Sequence, residues 1–318
     1  SRPQSVRSAA RMTHHTSPAA ATDDFRRIAA TDPRQGSDPI MTTYHLTRPD
    51  LDELLASMGE AGERIVAIDA AEASAGNISV CVAWDLAVTE RFPITEQIEL
   101  PAPAPALAGR WILCTGSGRR LRQLGRDPEA GIGVVLVHAD GSTGTLHTSP
   151  RRRFDHLTSE FNSHLGVHQD QVARRGIELH AVLHAQPPYL TYLSHIPAYR
   201  DDALMNAAIM RWEPETVVAL PGGIRVLEFM VPGSTEMMAA NVAGLRDANI
   251  TLWSQHGVMA RSDRSVLHAL DRIGYAETGA KYEYLDIVAG HCAEGLTRDQ
   301  LTRVSRTFSV ESRWTEEA

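Results

Sequence analysis

Short β-prone segments dominate the middle of this chain, and their arrangement constrains its fold more than any other feature. They cover residues 110–115, 132–139, 178–184, 215–220, 224–230 and 249–254. Amphipathic helical patterns interrupt them at 159–175, 201–211, 235–247 and from Ser265 to Val288. Strand and helix do not alternate strictly, as a wholly parallel sheet would require. The pattern therefore predicts a three-layer α/β/α domain around a mainly antiparallel or mixed central sheet.

Turn and cap signals refine this outline. "PGG" between the fourth and fifth β-prone segments predicts a tight β-turn that joins two strands. Apolar residues from Leu51 to Ile68 recur at helical spacing, with Thr47 as the expected N-cap and Pro49 in the first turn. The last long helix is expected to end at Gly290, a residue type typical of that position.

Composition bounds the class of protein. Residues 1–40 are rich in Ser, Ala, Arg and Pro without a periodic apolar face, so we expect a disordered N-terminal extension there and one folded domain over residues 41–318. The formal net charge of -8 gives no basic field for nucleic acid, and no apolar run approaches the roughly 18 residues of a membrane span. Three cysteines without a CxxC pair are typical of a reducing compartment, and we expect a cytoplasmic protein.

Two glycine-containing turns stand at strand boundaries. In "CTGSGRRL", Thr115 ends a strand, and Ser117 and Gly118 follow it. Hydroxyl and backbone N–H groups in such a turn can bind an oxyanion, although most turns of this kind only reverse the chain. In "AEASAGNISV", Asn77 lies between a helix and an alternating strand, and a glycine turn with an asparagine explains it by itself.

The segment "LTSEFNSHL" has two interpretations. Thr158 and Ser159 precede Glu160 and an apolar-periodic helix. In the structural interpretation, a hydroxyl caps the helix and the carboxylate complements the helix dipole. In the functional one, two hydroxyls at a helix N-terminus bind an anion, and Glu160 faces a nearby site as an acid or base.

Two histidines stand at strand ends. His184 ends the β-prone run of "ELHAVLHAQPPYL", and Gln186 follows it on the same face of an extended chain. Two prolines after Gln186 keep that stretch extended. His256 lies in "LWSQHGVMARS". Strand-end histidines can converge on one zinc ion, but a single one is more often structural.

Taken in order, seven segments resemble the signature segments of the class II aldolase/adducin family. They are "EASAGNIS", "TGSG", "TSE", "VLHAQ", "ETVVALPGG", "FMVPGS" and "LWSQHGV", within a resemblance that runs from Leu51 to Phe308. The resemblance implies the class II aldolase fold. It also implies that the protein is a lyase, which cleaves a ketose 1-phosphate, such as rhamnulose 1-phosphate, into dihydroxyacetone phosphate and an aldehyde. It also implies a homotetramer and one Zn²⁺ per subunit that holds the enediolate formed when the C–C bond breaks.

The resemblance implies roles for individual residues as well. His184, Gln186 and His256 match the metal ligands. Glu160 matches the residue that holds the proton at the enediolate carbon, which requires a carboxyl with a raised pKa. Glu215, contributed across a subunit interface, would act as acid or base on the aldehyde oxygen. The phosphate and substrate set is Ser74, Asn77, Thr115, Ser117, Gly118, Thr158 and Ser159, with Ser74 replacing an asparagine of the family.

Gln186 departs from the family, which has histidine there. A glutamine carbonyl is a weaker zinc ligand than imidazole and prefers harder ions. Gln186 could be the third ligand of a weaker site for zinc or another divalent metal, Glu160 could stay on the metal, or the metal could be lost. His180 lies about 13 Å from His184 along an extended strand, too far to replace Gln186. Candidate substitutes are His147, His164 and His195.

Two alternatives to the aldolase interpretation are kept. The first is a sugar-phosphate epimerase or decarboxylase of the same fold. Epimerases of this fold rely on a tyrosine near the C-terminus, whereas Tyr275, Tyr282 and Tyr284 lie inside a regular helical pattern. The second is a non-catalytic, adducin-like binding protein, for which scrambled phosphate and glutamate positions are expected; here they are intact.

Overall fold

A computed structural model describes residues 48–315 of the chain. Its helices are Leu51–Ala67 (α1), Pro128–Gly131 (α2), Phe161–Arg175 (α3), Pro188–Leu193 (α4), Asp202–Met210 (α5), Pro214–Ala219 (α6), Thr235–Leu245 (α7), Val266–Ala289 (α8) and Arg298–Thr307 (α9). Its strands are Asn77–Val82 (β1), Ile94–Glu99 (β2), Trp111–Thr115 (β3), Ile132–Val137 (β4), Thr143–Thr148 (β5), Leu179–Ala185 (β6), Ile224–Leu227 (β7), Ile250–Trp253 (β8) and Gly257–Ser262 (β9). The extension expected at 1–40 and the expected N-cap Thr47 lie outside the described residues.

The strands form a single mixed sheet in the order β2-β5-β4-β3-β1-β6-β9-β8-β7. Every neighbouring pair is antiparallel except β7 and β8, which run parallel. The sequence-based prediction of a mainly antiparallel or mixed sheet is confirmed.

Helices cover both faces of the sheet. An apolar core that includes Leu183 packs α1, α5 and α8 against one face. Its neighbour Val182 belongs to a separate core that packs α3 and α7 against the other face. Successive residues of a strand point to opposite faces, so β6 lies between two cores. The predicted three-layer α/β/α architecture is therefore confirmed.

The ends of the long helices follow their capping residues. Asp50 accepts a hydrogen bond from Glu53 N, and the Glu53 carboxylate accepts one from Asp50 N, both at 2.9 Å. This capping box makes Asp50 the N-cap of α1, so the predicted N-cap Thr47 is wrong. Pro49 precedes the cap, and its predicted place in the first turn is wrong as well. Helix α8 ends at Gly290 with a left-handed φ of 85°, as predicted.

The prediction of a strand at 215–220 is wrong. Pro214 begins the helix α6, because a proline at the first helical position has a favourable φ and no N–H to satisfy. Thr216, Val217 and Leu220 form its buried face at helical spacing. "PGG" therefore joins a helix to β7, and β7 pairs in parallel with β8 rather than forming the predicted hairpin.

Among residues 48–315, none of the helices combines the length and the apolar character that crossing a membrane requires.

Candidate active site

A cavity of about 330 Å³ opens where the ends of the central strands meet the loop before α3. All residues of its wall come from the segments that the sequence analysis singled out. They are Ser74, Ala75, Gly76, Asn77, Gly116, Ser117, Gly118, Thr158, Ser159, Glu160, His184, Gln186 and His256. The structure thus brings together every candidate site residue except Thr115 and Glu215.

Sheet register places the first of these segments beside the histidine segment. Asn77 and His184 are cross-strand partners in the antiparallel pair of β1 and β6. Gly76 precedes this pair with φ +83°, and a Cβ there would lie 3.0 Å from the His184 carbonyl oxygen. Glycine is therefore needed for the turn into β1 to approach His184 so closely.

His184 presents one ring nitrogen to the cavity. Its Nδ1–H donates to the Val258 carbonyl at 2.8 Å, which leaves the Nε2 lone pair free. The ring stacks on Trp253 with centroids 4.4 Å apart, which fixes its plane. Nε2 lies 3.7 Å from Glu160 Oε2. A backbone acceptor that orients the other ring nitrogen is the usual support of a metal-ligating histidine.

His256 completes a candidate metal centre with these two residues. One ligand atom each from Glu160, His184 and His256 lie within 4.8 Å of one another. His256 Nδ1 is buried and has no hydrogen-bond partner within residues 48–315. A buried nitrogen in that state is costly unless something else binds it. Two imidazoles and a carboxylate form an ordinary donor set for a catalytic zinc ion, so these residues fit a divalent metal.

Gln186 lies at the edge of the same centre. A Cβ at Gly257 would lie 3.1 Å from Gln186 Cγ and 3.2 Å from His184 Cε1, so both side chains flank this glycine. Gln186 N donates to Ala70 O at 2.8 Å, which anchors the segment after β6. The side chains of His184 and Gln186 share one face, as the extended pattern predicts.

Glu160 is directed into the cavity rather than onto its own helix. It occupies the N-cap position of α3 without a side-chain cap hydrogen bond. Oε2 instead accepts from Asn77 Nδ2 at 2.7 Å. Burial acts to raise the pKa of Glu160, but His184, the bond from Asn77 and two further histidines outweigh it and lower that pKa. The raised pKa expected for Glu160 is therefore wrong for the described chain.

The candidate anion-binding residues form two loops that are tied together. Ser117 N donates to His156 O at 2.9 Å, and Thr158 N donates to Thr115 O at 3.0 Å. These bonds hold the Ser117–Gly118 turn beside Thr158 and Ser159 at the cavity wall. The arrangement brings the hydroxyl-bearing residues Ser117, Thr158 and Ser159 to one cavity wall, which suits a phosphate group.

Thr115 has a different place from the one predicted. Its Oγ1 accepts a hydrogen bond from Ile78 N at 3.1 Å and is buried in the sheet. Thr115 therefore joins β3 to β1 and supports the site from behind, without a place in the cavity wall.

Glu215 and the three substitute histidines also lie outside the wall of the cavity in the described chain. Glu215 is exposed in the first turn of α6. His147 is buried in β5 beside Trp111, and His195 is exposed after α4. His164 contacts Asn77 through a short hydrogen bond. That contact and the buried histidines behind it were missed from sequence; their one local signal is His164 and His168 one turn apart on α3.

Comparison with known proteins identifies the family. The family model described as "Class II Aldolase and Adducin N-terminal domain" matches residues 56–284. The chain belongs to the class II aldolase and adducin family. Class II aldolases are metal-dependent, and the three-residue group described above could hold a metal ion.

Individual relatives agree with this assignment. The rhamnulose-1-phosphate aldolase of Bacteroides thetaiotaomicron is 26% identical over 242 residues, covering 76% of this chain and 88% of that protein. The protein of the same name from Klebsiella pneumoniae subsp. pneumoniae is 28% identical over 215 residues, covering 67% of this chain and 76% of that protein. The solved sugar-phosphate aldolase of Thermotoga maritima has a TM-score of 0.63 at 24% identity, covering 75% of this chain and 97% of that one. The last likeness confirms the class II aldolase fold.

Proposed function

We propose that this chain is a metal-dependent aldolase, a lyase that reversibly cleaves a ketose 1-phosphate to dihydroxyacetone phosphate and an aldehyde. Rhamnulose 1-phosphate is the first candidate substrate, since relatives that carry this name match most of the chain. The observation that carries the proposal is a single cavity wall that joins the Glu160–His184–His256 group to the hydroxyl-rich loops.

The candidate metal centre would hold Zn²⁺ between His184, His256 and Glu160, with Gln186 beside it. When bound, the ion would supply Lewis-acid stabilisation of the negative charge that develops on substrate oxygens as the C–C bond breaks. Gln186 offers a neutral carbonyl oxygen, so another divalent metal could occupy the centre.

The two loops would bind the phosphate of the substrate. Ser117, Gly118, Thr158 and Ser159 all line the cavity wall and would contact it. Asn77 and Ser74 line the same cavity. A phosphate anchored here would place the carbon chain against His184 and Glu160, and anchoring of this kind lowers the entropic part of the barrier.

Two glutamates would handle protons. Glu160 lies beside His184, within reach of a carbon atom bound at the centre, and would hold the proton at the carbon that becomes carbanionic. Glu215, exposed on α6, would come from a neighbouring subunit of a homotetramer and act on the aldehyde oxygen. We further propose that this enzyme works in the cytoplasm in the breakdown of rhamnose or a similar sugar; Cys81, Cys114 and Cys292 are free cysteines.

A metal analysis and a cleavage assay test the proposal together. Protein purified without a His tag should contain about one divalent ion per chain, and rhamnulose 1-phosphate should release dihydroxyacetone phosphate, measured through NADH oxidation by glycerol-3-phosphate dehydrogenase. Glu160→Gln should reduce kcat at least about 100-fold, because general acid–base catalysis contributes about 10²–10⁴-fold. Glu294→Gln, the same substitution at an exposed position, is the matched control.

Two results would contradict this function. One is protein without stoichiometric metal that releases no dihydroxyacetone phosphate from any ketose 1-phosphate, which would favour a binding protein. The other is conversion of the substrate to an epimer without release of that product, which would favour the epimerase alternative.

A further inference from the structure

A file of buried polar side chains runs from Glu160 into the layer between α3 and the sheet. We call it the histidine chain, and its members in order are Asn77, His164, Ser79, His168 and His180. His164 and His168 lie one turn apart on α3, whereas the other members lie on β1 and β6. Of these residues, Asn77 alone lines the cavity.

Each member of the histidine chain is within hydrogen-bonding distance of the next. Asn77 Oδ1 meets His164 Nε2 in a short bond. Ser79 Oγ lies 2.6 Å from His164 Nδ1 and 2.7 Å from His168 Nε2. His168 Nδ1 lies 2.7 Å from His180 Nδ1. The hydrogen-bonded contacts of the histidine chain are therefore continuous from the candidate metal centre to the interior.

All three imidazoles are neutral. Their side chains have no exposed surface, and burial lowers the pKa of His164 to about 3 and those of His168 and His180 well below the ordinary value. Positive charge on Arg261, Arg175 and Arg272 also disfavours protonation of His180. A neutral imidazole has one N–H and one bare nitrogen, so each histidine donates through one nitrogen and accepts through the other.

The chemistry of Glu160 then fixes the direction of every bond. A carboxylate only accepts, so Asn77 turns its N–H to Glu160 and its carbonyl to His164. His164 must donate from Nε2 and accept from the Ser79 hydroxyl at Nδ1. Ser79 in turn accepts from His168 Nε2–H, and His168 Nδ1 accepts from His180 Nδ1–H.

This assignment leaves His180 Nε2 bare at the inner end. That atom is buried and has no hydrogen-bond partner in the described part of the chain. If the bonds ran the other way, His180 Nε2 would carry an N–H without an acceptor. Orphaned buried N–H groups are rarer than unpaired buried acceptors. The inner end therefore agrees with the direction deduced from the outer end.

We propose that the histidine chain is a positioning device that holds the Asn77 N–H, rather than its carbonyl, against Glu160. The Glu160 carboxylate sets the direction of the hydrogen bonds, and the His180 N–H anchors the inner end of the histidine chain. The catalytic meaning of this inference rests on the proposed aldolase function. Without the His180 donor, His168 Nδ1 has no partner, and the rings of His168 and His164 and the Asn77 amide are held less firmly. Glu160 would then lose the fixed N–H donor that keeps its carboxylate beside His184.

Imidazole nitrogen NMR tests the direction without reference to activity. Protein labelled with ¹⁵N-histidine, assigned through single-histidine variants, should show His164 and His168 as Nε2–H tautomers and His180 as the Nδ1–H tautomer at pH 7.5. An Nδ1–H tautomer at His168 overturns the proposal.

A matched pair of variants tests the effect on the metal centre. His180→Asn retains an N–H at the place of Nδ1, whereas His180→Leu has a similar volume and no donor. Zinc affinity, measured by competition with a chelator, should stay within about threefold of wild type in His180→Asn and fall about tenfold in His180→Leu, as for other groups that orient metal ligands. His147→Leu is the control for the loss of a buried histidine that does not belong to the histidine chain.

The NMR experiment and the zinc-affinity measurements distinguish a failure of this proposal from a failure of the proposed function. Equal zinc affinity in the two His180 variants overturns the role of the donor. Wild-type protein that binds no divalent metal would contradict the aldolase proposal, and the tautomers would then decide whether the histidine chain has its direction.

Discussion

Asn77 and His184 lie opposite each other on neighbouring antiparallel strands, and both side chains approach Glu160 Oε2, at 2.7 Å and 3.7 Å. The pairing brings Asn77, a candidate phosphate-binding residue, next to His184, a candidate metal ligand, on these two strands. A substitution on either strand should therefore affect both the surroundings of Asn77 and the candidate metal centre. Gln186, the position where the chain departs from its family, follows β6 directly.

Gln186→His should raise zinc affinity at least about tenfold. Gln186 shares a cavity wall with His184 and flanks the same glycine, so a histidine there can direct its ring into the candidate metal centre. Imidazole is a better zinc ligand than a neutral carbonyl oxygen. Competition with a chelator measures the change, with Gln186→Leu as the control that removes the carbonyl. Unchanged affinity in Gln186→His would show that residue 186 does not reach the metal.

Ser117→Ala and Thr115→Val should separate substrate binding from support of the sheet. Ser117 faces the cavity, and the loss of one hydrogen bond to a charged phosphate should raise KM about tenfold with little change in stability. Thr115→Val should leave KM within about twofold and lower the free energy of unfolding by about 1–3 kcal/mol, because it leaves Ile78 N without its acceptor. Steady-state kinetics and urea unfolding of both variants check this. A larger KM change in Thr115→Val would restore its predicted place in the phosphate site.

Local patterns predicted much of this site, and non-local contacts account for most of what was missed. Glu160, His184 and His256 each stand in a short motif with a recognisable boundary, so their candidacy could be read from sequence. Their convergence depends on β6 lying between β1 and β9, which no local pattern determines. The resemblance supplied that information instead.

The errors in the fold have similar physical causes. Strand β2 reads "ITEQIE" and is almost entirely exposed at the sheet edge, so it lacks the apolar signal of a strand. The run after Pro214 is β-prone by composition, but helix packing of its buried face prevails over that propensity. The histidine chain joins three elements, and only the spacing of His164 and His168 on α3 is visible in the sequence.

Glu277→Gln should change how stability depends on pH. The Glu277 carboxylate accepts from Tyr189 N and Leu190 N, both at 2.9 Å, at the start of α4. Burial raises the pKa of Glu277 to about 7, against the opposing effect of these two bonds and of Lys281. A raised pKa in the folded state means that folding favours the protonated form. The stability it contributes is therefore complete below about pH 4.5 and is lost as pH rises through about 7.

Relative to Glu277→Gln, wild-type protein should lose about 3 kcal/mol of unfolding free energy between pH 4.5 and pH 8, from about 1.4 kcal/mol per pKa unit. Urea unfolding of both proteins at intervals across this range measures the difference. The comparison cancels the buried histidines, which act in the opposite direction below about pH 6.5. A difference between the two proteins that does not vary with pH would contradict the raised pKa.

Two glycines on α8 should respond oppositely to the same substitution. A Cβ at Gly274 would meet no atom within 4 Å, so Gly274→Ala should stabilise the protein by about 0.5–1 kcal/mol through the lower entropy of the unfolded chain. A Cβ at Gly279 would lie 2.6 Å from Ile209 O on α5, and backbone there cannot move away cheaply. Gly279→Ala should therefore destabilise by about 1–3 kcal/mol. Urea unfolding of both variants measures the pair, and a gain in stability from Gly279→Ala would show that α5 and α8 do not approach as closely as their contact requires.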